Sequence, residues 1–342
     1  MKRNLIITAG VLCLAAAAVV LPKILCWYTD NKQPNFSREA VVYVYPGMNS
    51  DDVLQYIADS AGVIKKKSLE RAFRDKCVDQ YLQPGKYVIS PESSSVYVAR
   101  MLNNCWQTPT SLVLSGTMRQ KAAIARKISA QMMVDSASVA DALCNDEFLA
   151  KYGFNSVNVF SLFIPDTYEM YWTSSLDDIF RKQKEAYDAF WTEDRQKKAS
   201  KLGLTREEVS ILASIVNGET NYEPEMPSVA GVYLNRLRIG MRLQADPTVA
   251  YCFDYKLSRV LNSHLEYDSP YNTYRYEGLP PGPISVPSRA CLDAVLNPDP
   301  HGYLYFCANA DFSGTHKFAS TYSEHLKNAR AFQAELNRRQ VR

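Results

Sequence analysis

The order of apolar and polar positions along this 342-residue chain changes period several times, and each change marks an element. After Met1-Lys-Arg-Asn4 comes an apolar run of about seventeen residues, Leu5 to Leu21, which ends at Pro22-Lys23. The run is slightly short for a spanning helix and slightly long for the core of a signal peptide. Lys2 and Arg3 would stay in the cytoplasm and place the remainder outside. The alanine-rich stretch Ala15 to Ala18 keeps a cleavage region open as the competing reading. Residues 22–40 are polar and proline-containing, as in a linker. From Val41 the pattern tightens into a strand, Val41 to Tyr45, a turn at Pro46-Gly47, and a helix beginning near Ser50 with Val53, Leu54 and Ile57 inward. A second helix runs through Leu69 to Phe73, and Pro84 to Ser90 returns as a strand. Another helix follows Ser93, with Val96, Val98 and Leu102 apolar, and Thr110 to Leu114 is strand-like.

Residues 117 to about 204 read as mainly helical. Lys121 to Ser129 and Ser136 to Tyr152 carry helical periods, and Leu176 to Ala199 carries a long one with alternating charge, the mark of a solvated face. Between them, Phe160 to Tyr168 is an apolar run ending in Pro165-Asp-Thr-Tyr168, where Asp166 suits packing or capping better than catalysis.

The pattern is most informative from Thr205 onward. Thr205 with Glu208 makes a capping box, and Val209, Leu212, Ala213 and Val216 then recur at helical spacing. Glu219 continues that stripe, three positions after Val216 and four after Ile215. A carboxyl on the inward face, at the negative end of the helix dipole, favours its protonated form and suits a general acid. The competing reading is a partly buried glutamate paired with Arg236 or Arg242. A second apolar run, Val229 to Arg238, stops at Gly240, and Asp246-Pro247-Thr248 reads as an N-cap with proline in the first helical turn. Asp246 therefore has a structural explanation beside a catalytic one.

Further on, Ser269-Pro270 leads into Tyr271-Asn-Thr-Tyr274, two phenols, an amide and a hydroxyl. That set suits the weakly apolar faces and polar rim of a sugar, and equally an ordinary tyrosine-rich loop. Gly278-Leu-Pro-Pro-Gly-Pro283 is too proline-rich for a helix or central strand and forms a stiff wall. A helix from Ser288 to Leu296, a hairpin of Tyr303 to Ala308 with His316 to Ala319, and a final helix capped by Thr321 with Glu324 complete the chain.

Composition narrows the classes. A hydrophobic content of 46% supports two or three compact domains, and a net charge of +3 makes no case for nucleic acid. The eight cysteines include no C-x-x-C pair, so an exported location permits disulfides whose pairing the spacing does not give. Cys13 has no small residue directly before it and does not read as a lipid-attachment site. Cys307 sits in an apolar strand and reads as buried. His264, His301, His316 and His325 are scattered, without paired metal-ligand spacing, and no cofactor is implied.

Several of these stretches together resemble the endolytic murein transglycosylases of the MltG (YceG-like) type. The resemblance rests on Leu212 to Thr220, Val232 to Val249, Tyr271 to Tyr274 and Gly278 to Ile284, with Pro165 to Tyr168 and Tyr303 to Phe306 also matching. The family pattern carries Glu-Lys-Glu-Thr where this chain has Asn217-Gly218-Glu219-Thr220, so the family's catalytic glutamate falls on Glu219. The departure at Asn217 removes a neighbouring charge, which leaves open what tunes the acid. The resemblance implies an α+β fold: a cytoplasmic tip (1–4), an uncleaved anchor (5–21), a linker (22–40) and a LysM-like βααβ module (41–115). A helical connecting region (116–204) and an α+β catalytic domain (205–342) follow. It further implies a lytic transglycosylase of the inner membrane, with its catalytic domain outside, acting on nascent peptidoglycan, with peptidoglycan synthases as candidate partners. Glu219 would be acid and then base. Asn235, Arg236, Gln244, Asp246, Tyr271, Asn272, Thr273 and Tyr274 are the candidates for holding glycan. The alternatives are a non-catalytic glycan-binding scaffold, for which Asn217 is the hint, or a muramidase using water with Asp246 or Glu223 as base. For the LysM-like module, glycan binding and a simple spacer remain equal readings.

Overall fold

The computed structural model describes residues 2–339, leaving aside the side chains of residues 2–13 and 15. The described chain is α+β, rich in helices, with three separate two-stranded sheets. It divides into two compact units, one of residues 1–111 and 169–174, the other of residues 112–168 and 175–342.

In the first unit the order is α1 (Lys2–Lys32), β1 (Ala40–Val44), α2 (Ser50–Ala61), α3 (Lys66–Asp75), α4 (Val78–Tyr81), β2 (Gly85–Ile89) and α5 (Ser95–Asn103). β1 and β2 pair antiparallel, Ala40 opposite Ile89 and Val44 opposite Gly85, so the expected strand, helix, helix, strand order holds with the short α4 added. Alternation along β1 sends Val42 and Val44 inward against Val53, Ile57, Leu69, Tyr87, Ile89 and Leu102, all buried. Leu54, expected inward, is partly buried against this core. Asn49 caps α2 and Ser94 caps α5 by accepting the N–H three residues on.

One expectation about the N-terminal stretch changes. Residues 22–32, taken as linker, are helical, and the end of α1 is tied down by Asp30, which pairs with Arg71 at 2.7 Å. Most of the anchor at 5–21, with the tip and Cys13, has side chains outside the described residues. Among the described residues no helix is long and apolar enough to cross a membrane.

β3 (Thr110–Leu114) and β4 (Asp166–Met170) form a further two-stranded sheet. The second unit holds α6 (Lys121–Ser129), α7 (Ser136–Ala142), α8 (Asp146–Ala150), α9 (Leu176–Phe190), α10 (Glu193–Lys201), α11 (Arg206–Glu219), α12 (Met226–Arg238), α13 (Asp246–Cys252) and α14 (Arg289–Leu296). The hairpin β5 (Tyr305–Ala308) and β6 (His316–Ala319) and then α15 (Tyr322–Arg338) complete it. Two expected long helices are each broken in two. The period over Ser136 to Tyr152 divides at Asn145, whose side chain caps α8. That over Leu176 to Ala199 divides at Trp191-Thr192: Thr192 leaves helical geometry to cap α10, and the break buries both Phe190 and Trp191. The cap side chains satisfy N–H groups that a continuous helix would have bonded itself, so the turn costs little.

α11 is the centre of the unit. Every residue from Val209 to Val216 is buried, so the helix is enclosed on all sides, beyond the one-sided stripe that its spacing suggests. Its polar members are matched internally: Ser214 donates to the Ile211 carbonyl and accepts from the Ile284 N–H at 3.0 Å. Asp166, expected to pack or cap, instead forms an exposed ion pair with Arg289 at 2.6 Å. The seven cysteines whose side chains are described are free, and Cys307 is only half-buried.

Candidate active site

Glu219 is the last residue of α11, whose start is the capping box read from the sequence: Thr205 accepts the Glu208 N–H and Glu208 accepts the Thr205 N–H. Glu219 is half-buried, and its partner is a phenol: Tyr233 of α12 donates to Glu219 Oε1 at 2.6 Å. No ion pair joins Glu219 to Arg236 or Arg242, so the salt-bridged reading does not hold. Burial pushes the carboxyl up to about 7; the Tyr233 hydrogen bond and the Arg236 charge pull it down, and the charge of Asp246 pushes it up. A carboxylic acid poised there is half protonated near neutral pH, which is what general acid catalysis needs. Burial also holds the Tyr233 hydroxyl well above its ordinary range, so it remains a donor.

Asp246 is corrected by the structure. It occupies the first turn of α13 and makes no cap; its Oδ1 accepts from the Tyr274 hydroxyl at 2.6 Å. Gly218 is why this turn approaches Glu219: a Cβ there would sit 2.5 Å from the Pro247 side chain. Asp246 thereby supplies the like charge missing at Asn217. Asn217 itself accepts from the Ser288 N–H at 3.4 Å, a link to the start of α14.

The expected glycan-holding set separates into two groups. Asp246 and Tyr274 stay near the acid, Asp246 exposed and Tyr274 half-buried, while Gln244 is exposed with a left-handed φ of 50°. The others are occupied by scaffold. Asn235 donates to the carbonyls of His301 and Tyr303, and buried Arg236 donates to those of Leu304 and Leu243, both at 2.6 Å. Asn272 is buried and donates to the Leu265 and Tyr267 carbonyls. The buried Thr273 hydroxyl accepts the Ala245 N–H at 3.0 Å and meets Thr248, fixing the turn that carries Asp246. Tyr271 packs on Tyr251 with ring centroids 4.6 Å apart. These polar groups serve buried backbone, which must be paired wherever a turn leaves water.

Glu219 opens onto a groove of about 600 Å³, walled by Thr220 to Tyr222 on one side and on the other by the β5–β6 hairpin with Phe312, His316 and Phe332. The sequence reading had assigned the hairpin no part in a site. His316 is held by Glu225, its Nδ1 2.8 Å from Oε2. Glu223 and Asp246 are both exposed and neither is among the residues lining the groove; of the two proposed water-activating bases, Asp246 is the one whose charge acts on Glu219. Among the described residues no three His, Cys, Asp or Glu side chains gather as metal ligands.

The family model described as YceG-like matches residues 42–331, which takes in most of both units and every residue of the site except Phe332 of the groove wall. The chain belongs to the YceG-like family. It is 37% identical to an endolytic murein transglycosylase of Bacillus subtilis over 184 residues, 53% of this chain and 45% of that protein. A Streptococcus pneumoniae protein of the same name is 31% identical over 130 residues, 36% of this chain and 23% of its own length. The chain thus spans less than half the length of these curated relatives. A crystal structure of a YceG-like protein from Listeria monocytogenes superposes with a TM-score of 0.54 at 26% identity, covering 85% of this chain and 99% of that one.

Proposed function

We propose that this YceG-like protein is a membrane-anchored endolytic lytic transglycosylase, cutting the bond between N-acetylmuramic acid and N-acetylglucosamine inside peptidoglycan strands. The observation that carries the reading is the state of Glu219: half-buried, bonded by Tyr233, with a pKa near 7, at a groove able to admit a strand. Protonated Glu219 gives its proton to the glycosidic oxygen as the C1–O bond breaks. The muramic C6 hydroxyl then attacks the anomeric carbon of its own sugar, and the Glu219 carboxylate takes the hydroxyl proton. A 1,6-anhydro end forms, the acid is regenerated, and no water is consumed. Because the nucleophile is tethered, one carboxyl suffices and proximity supplies much of the rate. The Tyr233 hydroxyl bonds one carboxyl oxygen throughout and leaves the other to carry the proton. Glu219→Gln keeps the shape and removes the proton, so release of soluble muropeptides falls on the order of 10³-fold, with an unchanged circular dichroism spectrum. Retained cutting by that variant refutes the proposal.

The position of Asp246 supports a second reading, a muramidase in which that carboxylate activates water; the two differ in whether solvent oxygen enters the product. The apolar run 5–21 behind Lys2 and Arg3 supports inner-membrane anchoring, with the site outside and the substrate newly made strands. Fractionation should place the chain in membranes that resist carbonate extraction. Peptidoglycan synthases working at that surface are the natural partners.

A further inference from the structure

We propose that the β5–β6 wall of the groove is a specificity element: His316 and the ring pair Phe312–Phe332 read the acetamido group of the sugar that stands beside Glu219. The inference deepens the transglycosylase reading and rests on it for the identity of the strand. His316 supplies an aimed acceptor. The Glu225 carboxylate takes the His316 backbone N–H on Oε1 and its Nδ1 on Oε2, both at 2.8 Å. A carboxylate only accepts, so the ring hydrogen is held on Nδ1 and the neutral imidazole keeps its lone pair at Nε2. Nε2 has no hydrogen-bond partner among the described residues and is not sealed from solvent. Linking β6 to the start of α12 needs only the backbone N–H; the nearly buried imidazole, 14% exposed, adds a directed lone pair. Phe306 fixes the ring from another side, meeting His316 at 5.3 Å and Tyr233 at 5.9 Å, both in T-shaped contact. One ring therefore separates His316 from the phenol that bonds Glu219.

The hairpin tip supplies an apolar seat. Phe312 sits at a φ of 61°, a left-handed conformation that a bulky residue seldom adopts. Its ring is 37% exposed and lies 5.4 Å from that of Phe332, and both line the groove. Backbone strain of this kind persists only where the surroundings hold it. The polar side chains around the tip are bonded to one another, Asn309 to Asp311 and Thr315, and Ser313 to Thr315. The wall thus combines a lone pair with open rings. An acetamido group matches both, its N–H donating to Nε2 and its methyl covering the rings. A hydroxyl in its place has the donor alone, and an ammonium would have to give up its water against the rings.

The test uses the full chain carrying Glu219→Gln, so that strands bind without being cut. Soluble uncross-linked peptidoglycan strands and the same strands after N-deacetylation are titrated against it and against chains that also carry His316→Asn, Phe312→Ala or Glu225→Gln. Asparagine keeps an N–H for Glu225 and removes Nε2. His316→Asn and Phe312→Ala should each weaken binding of acetylated strands about tenfold and leave deacetylated strands unaffected. The Glu225→Gln amide still accepts the backbone N–H but donates to Nδ1, so the ring hydrogen moves to Nε2 and acetylated strands should again bind about tenfold more weakly. Histidine ¹⁵N spectra should show Nε2 bare in the parent, shifted by acetylated strands, and protonated in Glu225→Gln. Unchanged affinity in His316→Asn and Phe312→Ala overturns the proposal, and so does equal weakening toward both kinds of strand, which a merely structural role would give. Phe312 is exposed at a hairpin tip, so Phe312→Ala keeps the test sound should a change at His316 or Glu225 fail to fold. Chains retaining Glu219 are assayed for cutting in parallel. Active cutting with unaltered affinities removes only this inference; selective loss of acetylated strands while the unmodified chain cuts nothing removes only the transglycosylase reading.

Discussion

At the scale of single residues, the acid is set by opposing neighbours, and each can be removed separately. The unmodified chain should lose kcat/KM above about pH 7 as Glu219 ionises. Tyr233→Phe deletes a bond that lowers the Glu219 pKa, so the alkaline limb should move to higher pH while the rate falls about tenfold. Asp246→Asn deletes a like charge, so the limb should move to lower pH. A pH profile of kcat/KM for the three proteins checks both signs, and shifts in one common direction would contradict the assignment. The same shift has a stability consequence. The folded pKa lies above the ordinary value of 4.5, so the native state holds the proton more tightly, and stability is lost as pH rises from about 4.5 through 7. Glu219→Gln escapes that loss; it should therefore gain stability relative to the parent, by up to about 3 kcal/mol at pH 8 and by almost nothing at pH 4. Urea unfolding at the two pH values measures it. Glu219 was legible in the sequence because its offsets from Val216 and Ile215 put it on an inward face. Tyr233 was not: a tyrosine within an apolar run reads as core, and only the crossing of α11 and α12 reveals which acceptor its hydroxyl meets. Asn272 and Thr273 misled for a related reason. Polar side chains in a loop look available to a ligand, but here the loop is buried and spends them on its own peptide groups.

At the scale of elements, caps and periods located most helices, and the misses have a common origin. Neither Asn145 nor Thr192 interrupts a helical pattern by composition; each ends a helix because its side chain satisfies the next one's first N–H groups while neighbouring apolar side chains find better burial. Sequence periodicity records which residues are apolar, and says little about where a chain turns to bury them. The close approach of α11 and the start of α13 is likewise invisible until both are placed, yet it depends on one missing methyl group. Gly218→Ala should push Pro247 and Asp246 away from Glu219. Thermal unfolding and a pH profile should then show a loss of roughly 1–3 kcal/mol of stability, as for overpacking, and an alkaline limb moved toward that of Asp246→Asn. A limb that stays in place would separate Asp246 from the tuning of the acid.

At the scale of the whole molecule, the chain forms two units, and the acid and its groove lie wholly within the second. The strand, helix, helix, strand order of the first unit followed from the alternation of Val41 to Tyr45 and the helical spacing after Ser50, and the α+β class from the family resemblance. That residues 112–168 join the second unit did not, because the contacts responsible, such as the burial of Val159 to Phe163 beside α11, are made between segments far apart in sequence. The central claim, that one carboxyl both gives and takes the proton while the sugar closes on itself, is tested most directly by mass analysis of glycan ends produced in ¹⁸O-labelled water. The unmodified chain should release 1,6-anhydromuramic ends without label, and Glu219→Gln should release almost none. Reducing ends that carry ¹⁸O would contradict the account and make Asp246 the base of a hydrolase.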